Sequence, residues 1–272
     1  MKAVLRIALV CMASAMAVDA ARAQATFHVK EFDFGQGKWV FESINAAHDG
    51  YPSRAERFRQ GHELGLGYGV TSWWLPKLLV SFDRMADSAD LNAQRVLLEN
   101  IVTLKPSVEG RDGLGFAMFH SLEGAIRHGE SSITQFGPII TARAGRLSAT
   151  ANVFVGKTFG QNREPGFDLF TAWQARYEMT DKVKLGIEGY LTIPELGTGA
   201  STGAGTQHRI GPVLILGGEN GGGRHQGTTA AKPSTGAAAV AHGGASHTEL
   251  EIGVLFGTTD ATQDVVGKAN MH

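Results

Sequence analysis

Leu147-Ser148-Ala149-Thr150-Ala151-Asn152-Val153-Phe154-Val155 alternates with a period of two. Leu147, Ala149, Ala151, Val153 and Val155 hold the odd positions, with Ser148, Thr150, Asn152 and Phe154 between them. A strand sends successive side chains to opposite faces, so this segment has one apolar face and one mostly polar face. The pattern returns at Val183 to Ile193, where Val183, Leu185, Ile187, Gly189, Leu191 and Ile193 alternate with Lys184, Gly186, Glu188, Tyr190 and Thr192. It returns again in Leu64, Leu66, Tyr68, Val70; in Leu114, Phe116, Met118, Leu122; in Phe167, Leu169, Trp173, Ala175, Tyr177; and in Leu250, Ile252, Val254, Phe256.

Working outward, the alternation predicts about twelve strands, near 38–48, 60–72, 76–87, 90–104, 113–126, 132–144, 146–157, 166–180, 182–194, 207–217, 247–257 and 264–272. Segments 38–48 and 90–104 alternate poorly. Most spans are near the length of a tilted transmembrane strand. Tight turns at Ser72–Leu75, Ala144–Arg146 and Thr180–Asp181 exchange with longer polar stretches at Asp49–Arg59, Arg127–Ser132, Lys157–Gly166 and Leu196–Gln207. Short turns on one rim and long loops on the other are the signature of an outer-membrane barrel. The expected fold is therefore all-β: an antiparallel transmembrane β-barrel with short periplasmic turns and longer external loops. A soluble β-sandwich or barrel would also alternate. The export signal and the small-residue content of the polar face favour the membrane.

That signal occupies residues 1–23. Lys2 and Arg6 precede the short apolar stretch Ile7–Val18, and Ala21-Arg22-Ala23 supplies the cleavage site. The stretch is too short for a membrane-spanning helix. Cys11, the only cysteine, falls inside it, so the mature chain is expected to hold neither disulfide nor thiolate metal site. Val10 before Cys11 argues against a lipoprotein. Cleavage removes Lys2, Arg6, Arg22 and Asp19 and moves the formal charge from −1 to −3. That balance gives no electrostatic case for nucleic acid.

Residues 24–37 form an N-terminal lead-in, either periplasmic or part of the first strand, and 38–272 a single barrel domain. One long connection breaks the rule of rims. Gly217 to Ser246 is rich in Gly, Ala, Thr and Ser. It is expected to be a disordered insertion in a periplasmic turn. Trp39, Tyr51, Trp73, Trp74, Phe159, Phe167 and Tyr177 stand near strand ends, as an aromatic girdle would.

Five segments carry a family resemblance: Tyr68-Gly69-Val70-Thr71-Ser72-Trp73-Trp74, Phe136-Gly137-Pro138-Ile139, Ala172-Trp173-Gln174-Ala175-Arg176-Tyr177, His208-Arg209-Ile210-Gly211-Pro212-Val213-Leu214, and Gly253-Val254-Leu255-Phe256-Gly257 through Thr262. Over nearly the whole mature chain the sequence resembles uncharacterised proteobacterial outer-membrane β-barrels, grouped near the phenol-degradation MetA-type transporters. The resemblance implies a porin-like barrel of the Gram-negative outer membrane and a role in solute transport. It carries over no catalytic residues. The chain departs from that family in the 217–246 insertion and in ending Asn270-Met271-His272 rather than on an aromatic residue. The second departure bears on recognition by the barrel-assembly machinery.

Candidate chemistry is sparse. Gly199-Ala200-Ser201-Thr202-Gly203 matches a nucleophile-elbow pattern but lacks the strand-turn-helix setting that motif needs. His120-Ser121-Leu122-Glu123 suggests a lipid-modifying barrel enzyme, yet neighbours in a strand face opposite ways. His225, His242, His247 and His272 suit weak metal uptake better than a dedicated site, so neither a metal site nor a cofactor is expected. Arg54, Arg57 and Arg59 could meet lipid phosphate from an external loop, with Glu56 beside them. The best functional candidates are the inward charges Glu63, Asp83, Glu123, Arg143, Arg176, Glu178, Lys184 and Glu188. A charge inside a barrel must be wet or paired. If wet, these residues line a narrow passive channel for small polar or aromatic solutes, with Gly65, Gly67 and Gly69 leaving space. If paired, they plug the lumen, and the barrel is structural. Twelve strands lie between filled and open barrels. No enzyme is expected; outer-membrane lipid is the expected surrounding.

Overall fold

The computed structural model describes residues 26–50, 58–85, 90–107, 112–198, 205–219, 247–259, 261–262 and 264–272. The signal segment, Tyr51, Arg54, Arg57, the 199–203 motif, His225 and His242 lie outside the described residues.

Twelve strands follow one another in chain order: β1 (Trp39–Asp49), β2 (Phe58–Tyr68), β3 (Trp74–Met85), β4 (Asn92–Lys105), β5 (Gly113–Ala125), β6 (Ser132–Ala144), β7 (Leu147–Phe159), β8 (Phe167–Thr180), β9 (Val183–Leu196), β10 (Gln207–Glu219), β11 (His247–Gly257) and β12 (Val265–Met271). Each pairs antiparallel with its neighbours. β12 closes the sheet on β1, in the register Ser43↔Met271 to Asp49↔Val265. Closure removes both sheet edges, the condition for putting strands in lipid.

Every predicted strand is present, with boundary shifts of a few residues. Trp74 opens β3 rather than lying in a turn, and β10 runs on to Glu219, so 217–219 belong to the wall. Residues 220–246 lie outside the described residues. No helix among the described residues is long and apolar enough to cross a membrane.

The outer face carries the predicted apolar set. Leu147, Val153, Val155, Leu185, Ile187, Leu250, Ile252, Val254 and Phe256 are exposed there, while Thr150, Asn152, Phe154 and Glu188 are buried inside. An apolar band this complete around a closed sheet has lipid as its natural solvent. Trp39, Tyr68, Trp73 and Tyr177 mark the rim of short turns on this outer face; Phe159 and Phe167 mark the other. Trp39 and Tyr68 rings pack at 5.0 Å across β1 and β2.

The inner face is less polar than the alternation suggested. Ile44, Leu75, Leu79, Ile101, Phe119, Ile139, Phe154, Tyr190, Val213, Ile215, Leu255 and Val266 point inward and are buried. Their partner is the segment before β1. Phe27, Val29 and Phe32 are buried within the barrel. Phe32 joins Leu75, Ile101, Phe119, Ile139 and Phe154, while Phe27 and Val29 join Ala46, Tyr190, Leu255 and Val266. The N-terminal segment is thus an axial filling of the lumen. It leads into β1 through Gly37, whose amide donates to the Gly69 carbonyl at 2.7 Å.

Candidate functional site

The lumen is built from the wall strands around this segment, which joins no strand. Glu31 reaches Arg176 on β8, and Asp33 reaches Arg143 on β6 at 2.7 Å. From the opposite side of the segment, Lys30 reaches Glu99 on β4 at 2.6 Å. A lone extended chain inside a barrel has backbone groups with no ladder to satisfy them, and leaving them bare is costly. Two asparagines of the wall supply the partners. The Lys30 amide donates to Asn152 Oδ1 at 2.7 Å, and Asn152 Nδ2 donates back to the Lys30 carbonyl at 3.0 Å. Asn270 Nδ2 donates to the Phe27 carbonyl at 3.0 Å.

Two ionic clusters flank the segment. In one, Lys77 on β3 sits between Glu42 on β1 at 2.8 Å and Glu99 at 2.9 Å, and Lys30 completes the set. In the other, Lys268 on β12 sits between Glu188 on β9 at 2.7 Å and Glu251 on β11 at 2.6 Å. Gln174 on β8 donates to both carboxylates, and the Tyr190 hydroxyl donates to Glu188. Each buried cation bridges two carboxylates, so none of the three buried charges lacks a counter-charge.

The sequence-predicted residues fall as follows. Glu188 is fully buried in the Lys268 cluster. Arg176 bonds Gln174 as well as Glu31, and lies 3.9 Å from Glu249. Arg143 donates to Ser107 in addition to Asp33. Asp83 accepts from Arg59 and from Gln94. Glu63 accepts from the Thr26 hydroxyl. Lys184 pairs with Glu249 at 2.6 Å. Glu123 is half-buried on the face it shares with buried Ser121. Glu178, beside a bulge near the end of β8, is half-buried opposite Lys184.

Sequence reasoning missed Glu42, Lys77, Glu99 and Lys268, and left Glu251, though on the polar face of its strand, out of the candidates; the five join Lys30 and Glu188 in the two clusters. The space expected beside Gly65, Gly67 and Gly69 is filled, a correction with a simple cause. A Cβ at Gly65 would meet Leu79, one at Gly67 would meet Lys77, and one at Gly69 would collide with the Gly35 carbonyl. Gly69 admits the N-terminal segment. Gly115 does the same for the Phe32 ring.

Other candidates separate. Ser121 is buried inside, whereas His120 is exposed on the outer face, 3.3 Å from the Thr134 hydroxyl. Arg59 donates to Asp83, and Arg54 and Arg57 lie outside the described residues.

No protein-family model and no curated sequence matches the chain. Among solved structures it is similar to a variant of OccD1 (OprD), with 8% identity and a TM-score of 0.40, covering 92% of this chain and 70% of that one. It is also similar to CdiB from Escherichia coli, with 10% identity and a TM-score of 0.38, covering 88% of this chain and 63% of that one. OmpT, an outer membrane protein of Vibrio cholerae, shows 10% identity and a TM-score of 0.31 over 90% of this chain and 98% of that one. The chain spans less than two thirds of the length of CdiB. Its closed twelve-stranded sheet and lipid-facing band make it an outer-membrane β-barrel. The finer kinship with MetA-type transporters has no matching family model behind it.

Proposed function

We propose that the protein is a gated outer-membrane channel for small polar solutes, closed in its resting state by its own N-terminal segment. The observation that carries this reading is the course of residues 26–36 through the lumen, held by ion pairs and by Asn152 and Asn270. These contacts are non-covalent, and the segment joins no strand ladder. Its exit would uncover Glu99, Arg143, Arg176, Asn152 and Asn270, a polar lining of both signs. Such a lining suits hydrated solutes and biases their charge.

A second reading has its own support. The Lys268 cluster is anchored by wall residues alone, so it stays in place when the segment leaves. If it fills the remaining bore, the barrel is a structural element of the membrane.

Planar-bilayer recordings separate the two. The refolded mature chain is expected to be closed most of the time. A variant lacking residues 24–36, checked for heat-modifiable migration, is expected to conduct persistently. A folded deletion variant that never conducts would establish the structural reading.

A further inference from the structure

Three residues from three separate parts of the chain converge inside the lumen. His28 lies on the N-terminal segment, Glu42 on β1, and His272 directly after β12. One ring nitrogen of each histidine and a carboxylate oxygen of Glu42 lie within 4.8 Å of one another. The two imidazoles stack, with ring centroids 4.4 Å apart and planes inclined by 28°. We propose that His28, Glu42 and His272 form a binding site for a divalent transition-metal ion, zinc being the ion it takes.

The donor chemistry fits. Two imidazoles and a carboxylate are a zinc ligand set, with one or more positions left for water. Ligands about 2.0–2.2 Å from a tetrahedral zinc stand roughly 3.4 Å apart. The donor atoms lie within 4.8 Å and the two rings are stacked, so zinc binding requires both imidazoles to turn until their in-plane lone pairs converge.

An independent observation points the same way. His28 Nδ1 and His272 Nε2 are sealed from solvent, and neither has a hydrogen-bond partner. Buried polar nitrogens are almost always satisfied, so two orphans on adjoining rings call for an acceptor of lone pairs. A metal ion is one. Glu42 already receives Lys77, but a carboxylate has about four lone-pair sites and Lys77 takes only some of them. Lys77 also keeps Glu99 as a partner.

The placement gives the ion a structural consequence. Glu42 and His272 lie on the two sides of the seam where β12 meets β1, and His28 lies on the filling segment. Zinc bound there staples the segment to the closure of the barrel.

The test uses the refolded, untagged mature chain, stripped with a chelator and titrated with zinc chloride in a calorimeter. One equivalent is expected to bind with micromolar or tighter affinity. His28→Ala and His272→Ala should each weaken binding at least tenfold, while a His225→Ala/His242→Ala variant keeps it. Cobalt(II) at the same site should give visible d–d bands that His28→Ala abolishes. Absence of saturable zinc binding by the parent chain would overturn the proposal. So would binding that survives His28→Ala but is lost in the His225→Ala/His242→Ala variant. His28 lies outside the wall, so its variant carries the test if His272→Ala fails to assemble.

Discussion

Lys268 has no exposed side-chain surface and bridges two carboxylates that are themselves buried. Removing it strands Glu188 and Glu251 without a counter-charge. Lys268→Met is expected to cost about 3–5 kcal/mol, the usual penalty for breaking a buried pair from one side. Urea titrations of folding into lipid vesicles would measure it. Adding Glu188→Gln and Glu251→Gln should recover most of the loss, because no bare charge then remains inside. On the outer face the sign of burial reverses. Ile187 is exposed to lipid midway along β9, opposite Ala175 and Pro212. Ile187→Arg should therefore cost roughly 2–4 kcal/mol in the same titration, whereas a soluble barrel would accept it without loss. Both residues obey the alternation, yet only Glu188 of the buried cluster stood out in the sequence. Lys268 lies in a seven-residue strand beside the glycine Gly267, too short a run to display a period.

The N-terminal segment explains why some strands were legible and others were not. In β7, β9 and β11 the outer face is apolar against a mainly polar inner face, so their parity could be read directly. In β1 and β4 the inner face carries the buried Ile44, Ala46, Leu97 and Ile101 as well, and Ala46 and Ile101 belong to the two apolar clusters that the segment completes. Apolar residues on both faces erase the contrast that a period-two reading depends on, and Glu42 and Glu99 disappeared with it. The segment itself has the composition of an ordinary lead-in. Nothing in Phe27, Val29 or Phe32 distinguishes a chain inside a barrel from one beside it. Its anchoring can be tested as an element. Val29 is almost wholly buried, and Cys11 is the only native cysteine, so Val29→Cys introduces a single thiol into the mature chain. That thiol should react slowly with a maleimide in the intact barrel. Adding Asn152→Ala and Asn270→Ala removes three hydrogen bonds to the segment's backbone and should raise the labelling rate at least tenfold. An unchanged rate would mean that ion pairs and apolar packing hold the segment without the asparagines.

At the scale of the whole molecule, the wall is a closed ring in which every strand is paired on both sides. The 220–246 connection joins β10 to β11 beyond their last register pair, Glu219↔His247. Deleting about 221–245 should therefore leave heat-modifiable migration intact, since no wall pairing is removed. The lumen poses the sharper question, because its charges serve the closed state as partners and the proposed open state as a lining. Arg176 shows the double role: it holds Glu31 now and would face solvent once the segment has gone. Glu188 differs, being held by Lys268 and Gln174, both wall residues. In a barrel lacking residues 24–36, Arg176→Glu adds negative charge to the bore and should shift the reversal potential in a salt gradient toward cation selectivity. Glu188→Lys should shift it toward anions. The second shift is expected to be smaller, because Lys268 and Glu251 remain beside the substituted side chain and share its field. Opposite shifts would place both residues on one conducting path. Conductance that persists with neither shift would route the current past the Lys268 cluster and away from the β8–β9 wall.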